Sequence, residues 1–181
     1  MNFPGRAKAF VASIIFRQRL LNRWAHKTLP TKRLAACVML FDQAGKLLIL
    51  ETTYRPEWLL PGGVVERDEP PWVGARREVR EEIGLELGAL SFAAMDWRSS
   101  DDEFDDSLHF VFDGGVLSAE QQAMIRPDGS EISNYRFVAR DEAEALVEPH
   151  LSRRIMPCWD QRAMAQRPLV LNRGAPDDMA S

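Results

Sequence analysis

One segment constrains the fold of this chain more than any other, the predicted helix from Pro70 to Ile83. Pro70 and Pro71 suit a first helical turn, and Gly84 suits the C-terminal cap. Near its end, glutamates recur at positions i, i+3 and i+4 and share one face: Glu78, Glu81 and Glu82. Like charges at this spacing destabilise a helix, more so near the negative end of its dipole. The arrangement therefore indicates a site for a divalent cation with oxygen ligands.

Short strand-like runs surround this helix. They are Ala35 to Phe41, Leu47 to Thr52, Leu90 to Asp96, Leu108 to Phe112 and Tyr135 to Ala139. The compact turn from Asp42 to Gly45 predicts that the first two form a hairpin. We predict three further helices. The first covers Ala119–Ile125 and is capped by Ser118, and the second is capped by Asp141 and ends at Leu146. The third covers Leu151–Ala165 and is broken near Pro157. Mixed strands with a few helices predict an α/β or α+β fold.

The loop from Tyr54 to Gly63 leads into the acidic helix. Gly62 and Gly63 permit backbone conformations that other residues resist, so this loop can bring backbone groups close to a metal or a phosphate. Trp58 and Leu60 are expected to anchor the loop in the core. On the helix itself, Arg77 is placed to pair with Glu69 and so tie the loop to the helix.

Seven identities at fixed spacing make the whole span hard to explain as a solvated face: Gly63, Glu69, Arg77, Glu78, Glu81, Glu82 and Gly84. With apolar Val79 and Leu85 in place, the span resembles the Nudix box without departures. The resemblance implies a Nudix-type α/β/α sandwich with a mixed sheet over residues 33–165. It also implies an enzyme that uses Mg²⁺ or Mn²⁺ to hydrolyse a nucleoside diphosphate linked to another moiety.

The resemblance also implies roles for individual residues. Glu78, Glu81 and Glu82 would be metal ligands, together with the carbonyl of Gly62. Arg77 and Glu69 would orient them, and Val79 and Ile83 would face the core. For the general base we keep two candidates open, Glu82 and Glu131, the latter in the loop before Tyr135.

Signatures of the family's ADP-ribose, diadenosine polyphosphate, NADH and coenzyme A subgroups are absent from the sequence outside the box. A nucleotide sugar or a (deoxy)nucleoside triphosphate is therefore the default substrate. Arg55 is a candidate phosphate contact and Gly63 a second substrate contact. Tyr54, Trp58 and Trp97 are available for base stacking, while His109 is interpreted as a satisfied strand residue.

Charge is distributed unevenly along the chain. It has 23 basic and 27 acidic residues, but residues 1–33 hold eight basic side chains and no acid. The remainder therefore carries 15 basic and 27 acidic residues, a net charge of −12. Residues 1–32 are predicted to be a basic amphipathic helical extension. Residues 166–181 are predicted to be a C-terminal tail, frayed from Arg173 to Ser181. We favour packing of the extension on the domain or a dimer partner over contact with an anionic membrane, and nucleic acid is not expected as a partner.

Two cysteines, Cys37 and Cys158, fit no metal or redox spacing, and Cys37 lies in an apolar run that suggests a buried position. A reducing cytoplasm is the expected compartment. Two alternatives to a hydrolase remain open. A non-catalytic nucleotide sensor would tend to lose the box glutamates, and all are kept. A Nudix-fold isoprenoid diphosphate isomerase would want a cysteine in its pocket, for which Cys37 is a poor candidate.

Overall fold

The computed structural model describes residues 29–100, 105–162 and 168–176. The chain divides into two compact units, Met1–Thr31 and Lys32–Ser181. The predicted basic helix belongs to the first unit and lies outside the described residues. No helix within the described ranges is long and apolar enough to span a membrane.

A mixed β-sheet forms the centre of the second unit. Its described strands are β1 (Arg33–Phe41), β2 (Leu47–Thr52), β3 (Gly62–Val64), β4 (Ser91–Arg98), β5 (Ser107–Val116), β6 (Ile132–Val138), β7 (Leu169–Asn172) and β8 (Ala175–Pro176). The strand order is β6-β2-β1-β5-β4-β7-β8, and β3 pairs with β1 beside this path. β1 is parallel to β5 and β4 to β7, while the other pairs are antiparallel.

Helices cover both faces of this sheet. They are α1 (Pro71–Ile83), α2 (Ala119–Met124), α3 (Arg140–Leu146) and α4 (Pro149–Arg162). Successive side chains of β1 point to opposite faces, as a strand requires. Val38 is fully buried in one apolar cluster with Val79 of α1, and Met39 is buried in another with Ile155 of α4. The predicted α/β/α sandwich with a mixed sheet is confirmed.

Local signals in the sequence placed most elements correctly. β1 and β2 form the predicted hairpin, in which the Asp42 carboxylate accepts hydrogen bonds from the backbone N–H groups of Ala44 and Lys46. Ser118 caps α2 by accepting a hydrogen bond from the N–H of Gln121, and the Gln121 side chain bonds back to the Ser118 N–H. This reciprocal pair satisfies two backbone donors that a helix start would otherwise leave unpaired.

Two helix predictions were wrong in detail. Asp141 does not cap α3; Ala139 occupies the N-cap and makes no side-chain bond, while Asp141 lies in the first turn, where its charge suits the helix dipole. α4 is not broken at Pro157 but continues through it to Arg162. Its neighbours Met156 and Cys158 are buried, so packing outweighs the one helical hydrogen bond that proline removes.

The prediction of a C-terminal tail from residue 166 needs a correction for residues 169–176, which contain two strands. Leu169–Asn172 forms β7 beside β4, and a turn at Arg173 and Gly174 leads into β8. The apolar run in β7 is only three residues long, yet Leu171 is 1% exposed because it joins the core beneath α4. The sheet therefore extends beyond residue 165, to Pro176.

Candidate active site

Helix α1 presents Glu78, Glu81 and Glu82 beside the face that it buries in the core. Ala75, Val79 and Ile83 are fully buried, which confirms that the last two face the core. Pro70 is the N-cap, and Gly84 ends the helix in the left-handed conformation (φ 73°), with its N–H bonded to the carbonyl of Arg80. Apolar burial on one face therefore fixes which way the carboxylates of the other face point.

Arg77 is the hub of the carboxylate cluster. Its Nε and Nη2 donate to the two carboxylate oxygens of Glu69 at 3.0 and 3.1 Å. Its Nη1 donates to Glu78 at 2.8 Å and to Glu81 at 2.9 Å. These hydrogen bonds from Arg77 hold the pKa of Glu69 below its ordinary value. The predicted Arg77–Glu69 tie between loop and helix is present.

Gly74, to which the sequence analysis gave no role, makes room for this tie. A Cβ at Gly74 would lie 2.8 Å from Glu69 Oε2, which also accepts the N–H of Glu66 at 3.0 Å. Arg77 Nη2 completes the arrangement by donating to the carbonyl of Val64. A glycine one turn before the arginine of the motif was the only sequence signal for this close approach.

Glu82 is held from the other side, by the loop from Tyr54 to Gly63, which we call the glycine loop. The N–H of Gly62 donates to Glu82 Oε2 at 2.8 Å. Burial raises the pKa of Glu82 to about 8, and the negative charges of Glu78, Glu131 and Asp128 contribute in the same direction. Burial also raises the pKa of Glu78. Negative charge is therefore concentrated here without full compensation, which is the condition that a divalent cation relieves.

Glu131 lies in the electrostatic neighbourhood of the α1 glutamates, since its charge raises the pKa of both Glu78 and Glu82. Its loop is ordered by Asp128, another residue without a role in the sequence analysis. The Asp128 carboxylate accepts the backbone N–H groups of Glu131 and Ile132, and the Asp128 N–H donates to the carbonyl of Glu82 at 3.0 Å. Asp128 thereby connects this loop to the end of α1.

The side chains that act on Glu82 with negative charge are carboxylates, and carboxylate oxygens are ligands that Mg²⁺ prefers. Within the described ranges, however, no three acidic, histidine or cysteine side chains are grouped so that they could hold a metal. The physical reason is that Arg77 holds the carboxylates of Glu78 and Glu81. The metal-ligand roles of the three helix glutamates and of the Gly62 carbonyl therefore stay predictions.

The raised pKa of Glu82 predicts a pH effect in metal-free protein. The unfolded chain releases this proton near 4.5, whereas the folded protein keeps it up to about 8. The unfolded state thus binds fewer protons between these values, and stability falls as pH rises through this window. Urea unfolding of wild type and Glu82→Gln in EDTA at pH 5, 6.5 and 8 tests this. The free energy of unfolding of the variant should rise relative to that of wild type at each increase in pH. A difference that stays constant across the three pH values would contradict the raised pKa of Glu82.

A cavity of about 750 Å³ adjoins the glycine loop. Gly62, Gly63, Tyr54 and Arg55 line it, so both predicted substrate contacts, Arg55 and Gly63, are at its wall. Tyr54 is 59% exposed, and the Arg55 guanidinium lies 5.2 Å from the centre of its ring. Of the aromatic residues considered for base stacking, Tyr54 is the one at this cavity.

Two further residues of the cavity wall lie on the central strands. His109 makes a 2.9 Å hydrogen bond between Nε2 and Ser107 Oγ, and burial lowers its pKa to about 4, so it is a neutral, satisfied strand residue as predicted. The expectation for Cys37 was wrong in part. It is partly rather than fully buried: it packs against the core cluster and also lines the cavity.

Comparison with known proteins places this geometry in a family. The profile of the NUDIX domain matches residues 31–157. The chain is 36% identical over 58 residues to a MutT-like protein of Streptomyces ambofaciens, covering 32% of this chain but only 38% of that one. It is 26% identical over 120 residues to a putative 8-oxo-dGTP diphosphatase of Bacillus subtilis, covering 66% and 75%.

Solved structures show the same fold. The MutT protein of Methanosarcina mazei Go1 superimposes with a TM-score of 0.61 at 22% identity, over 77% of this chain and 100% of that chain. The profile match spans more than half of the sequence and contains the whole Arg77-centred cluster. The chain belongs to the NUDIX family.

Proposed function

We propose that this protein hydrolyses the diphosphate linkage of a nucleoside diphosphate derivative, with Mg²⁺ or Mn²⁺ as the metal. The observation that carries the proposal is that one loop contacts both the acidic cluster and a cavity. The glutamates held by Arg77 and by the Gly62 N–H lie at one end of the glycine loop, and the same loop lines a cavity of nucleotide size. Relatives named as diphosphatase and as RNA pyrophosphohydrolase support the reaction class.

Glu78, Glu81, Glu82 and the Gly62 carbonyl would hold the metal. When bound, it supplies neutralisation of diphosphate charge and a lower pKa for the attacking water. Arg77 positions two of these carboxylates, and Gly62 fixes Glu82. Glu82 or Glu131 accepts the proton of the water, because both lie in the same acidic neighbourhood. Such reactions ask a protein chiefly for positioning and charge stabilisation.

Substrate binding falls to the cavity side of the loop. Tyr54 offers an exposed ring for stacking on a base, and Arg55 offers a cation beside that ring. We keep a nucleotide sugar or a (deoxy)nucleoside triphosphate as the substrate. The differing names of the relatives, MutT-like protein and RNA pyrophosphohydrolase among them, do not favour one over the other.

The isomerase alternative gains one observation, since Cys37 lines the cavity. Burial, however, raises the pKa of this thiol to about 11, so it stays protonated at neutral pH. Its backbone is also crowded by Gly62, whose Cβ position would lie 2.5 Å from Cys37 Cα. Hydrolysis remains the better supported function.

A panel of substrates tests the proposal. Nucleotide sugars, (deoxy)nucleoside triphosphates, dinucleotides and isopentenyl diphosphate are incubated with Mg²⁺ or Mn²⁺, and the products are identified by mass spectrometry in ¹⁸O-labelled water. We expect metal-dependent products that carry one ¹⁸O on phosphorus. Binding of nucleotides without any turnover would favour the sensor, and isomerisation without label would favour the isomerase; either result would overturn the proposal.

A further inference from the structure

A second, smaller cavity of about 280 Å³ adjoins the first. Six residues line it: Asp96, Arg98, His150, Arg153, Arg154 and Arg173. Three of them, Arg98, His150 and Arg154, also line the large cavity. The two cavities are therefore neighbours that share part of their wall.

The acid in this lining does not cancel its positive charge. Asp96 is 1% exposed, and its Oδ2 accepts a 2.8 Å bond from Arg154 Nε while its Oδ1 accepts the N–H of Gly174 at 3.0 Å. Asp96 and Arg154 thus satisfy each other as a buried pair. Arg153 and Arg173, two other cations of this wall, are in excess of this pair.

Arg153 and Arg173 provide that excess. Arg153 Nη2 donates to His150 Nδ1 at 2.9 Å, and Arg173 Nε donates to Ser99 Oγ at 2.8 Å. Neither of these two partners is a carboxylate. In the part of the chain that the structure describes, neither guanidinium has a carboxylate partner.

His150, Arg153 and Arg173 are exposed residues of this wall, so an anion from solvent can reach them. His150 lies in the first turn of α4, at the positive end of the helix dipole, and Arg153 lies in the following turn. Arg173 is a non-glycine residue with a positive φ of 52°, in the turn that packs against Arg153 through Gly174. A bound anion would be attracted both by the first turn of α4 and by the two guanidinium groups.

We propose that the small cavity is a phosphate subsite that binds a second anionic group of the substrate, remote from the diphosphate that is hydrolysed. The inference rests on the proposed function and narrows its substrate class to nucleoside diphosphate derivatives that carry an additional phosphoryl group.

The first test measures phosphate binding without catalysis. Inorganic phosphate is titrated into full-length, metal-free protein, with the His150 ring followed by NMR. The double variant Arg153→Met, Arg173→Met is compared with Arg67→Met, Arg80→Met, which removes two exposed guanidinium groups elsewhere. We expect the first variant to weaken binding at least tenfold and the second to leave the affinity within twofold. Equal affinities for both variants and wild type, with melting curves that show folded protein, would overturn the subsite.

The second test separates a substrate phosphate from a free phosphate. Pairs of compounds are compared as competitors of phosphate binding. One member of each pair, ADP-ribose or a coenzyme A precursor, lacks the extra phosphate, and the other member is its 2′- or 3′-phosphorylated form. We expect at least one phosphorylated member to displace phosphate tenfold better than its partner. Equal displacement by both members of every pair would show a site for free phosphate alone and overturn the proposal.

Glu82→Gln distinguishes this inference from the proposed function. The variant should bind phosphate as wild type does, because Glu82 does not line the small cavity. If phosphate binds but no substrate of the panel is hydrolysed by wild type, the subsite stands and the hydrolase proposal fails. If substrates are hydrolysed but phosphate does not bind, the subsite fails and the hydrolase proposal stands.

Discussion

Glu82→Gln is expected to lower the metal-dependent kcat by about 10³-fold while leaving the fold intact. Glutamine has the size of glutamate and keeps an oxygen that can accept the Gly62 N–H, now bonded at 2.8 Å. What the variant loses is the negative charge, on which both proposed roles, metal ligand and proton acceptor, depend. The loss should appear in kcat with several substrates, measured at saturating Mg²⁺.

Glu86→Gln is the matched control for this variant. Glu86 follows α1 and its side chain is 78% exposed, 3.9 Å from Arg80, so the same chemical change there should leave kcat within twofold. Thermal melting with and without Mg²⁺ adds a readout that does not require turnover. Wild type and the control should be stabilised by the metal, and Glu82→Gln much less. Undiminished activity in Glu82→Gln would remove Glu82 from the mechanism.

The arrangement of the α1 side chains could be predicted from the sequence because its signals are local. Spacing of three and four residues puts Glu78, Glu81 and Glu82 on one helical face whatever the helix packs against. The apolar positions Val79 and Ile83 then fix the direction of that face, and both are fully buried. Glu69 lies just before the same helix begins at Pro71, and this position brings it within reach of Arg77.

The parts that escaped prediction depend on contacts between distant segments. β3 is three residues long and contains two glycines, so only its pairing with β1 makes it a strand. β7 likewise exists because β4 offers it a parallel edge. The exposure of Cys37 could not be read from an apolar run, since such a run is equally consistent with a core strand and with a cavity wall. The basic small cavity joins residues from β4, α4 and the β7–β8 turn.

Gly62→Ala is expected to destabilise the protein by roughly 3 kcal/mol and to abolish activity. Gly62 has a φ of 145°, which L-residues with a Cβ rarely adopt. An added Cβ would lie 2.3 Å from the carbonyl oxygen of Ala36 and 2.5 Å from Cys37 Cα. Both are backbone atoms of a central strand, so neither can move without disturbing the sheet. The N–H that holds Glu82 would be displaced as well.

Two other glycines separate strain from collision in urea unfolding and activity measurements. Gly45 also has a positive φ, 77°, but nothing lies within 4 Å of its Cβ position, so Gly45→Ala should cost about 1 kcal/mol and spare activity. At Gly63 the added Cβ would lie 2.7 Å from the Glu78 carboxyl, the movable end of a side chain. Gly63→Ala should therefore fold but lose activity through displacement of Glu78. If Gly62→Ala were as stable as Gly45→Ala, the close backbone approach that positions Glu82 would not exist.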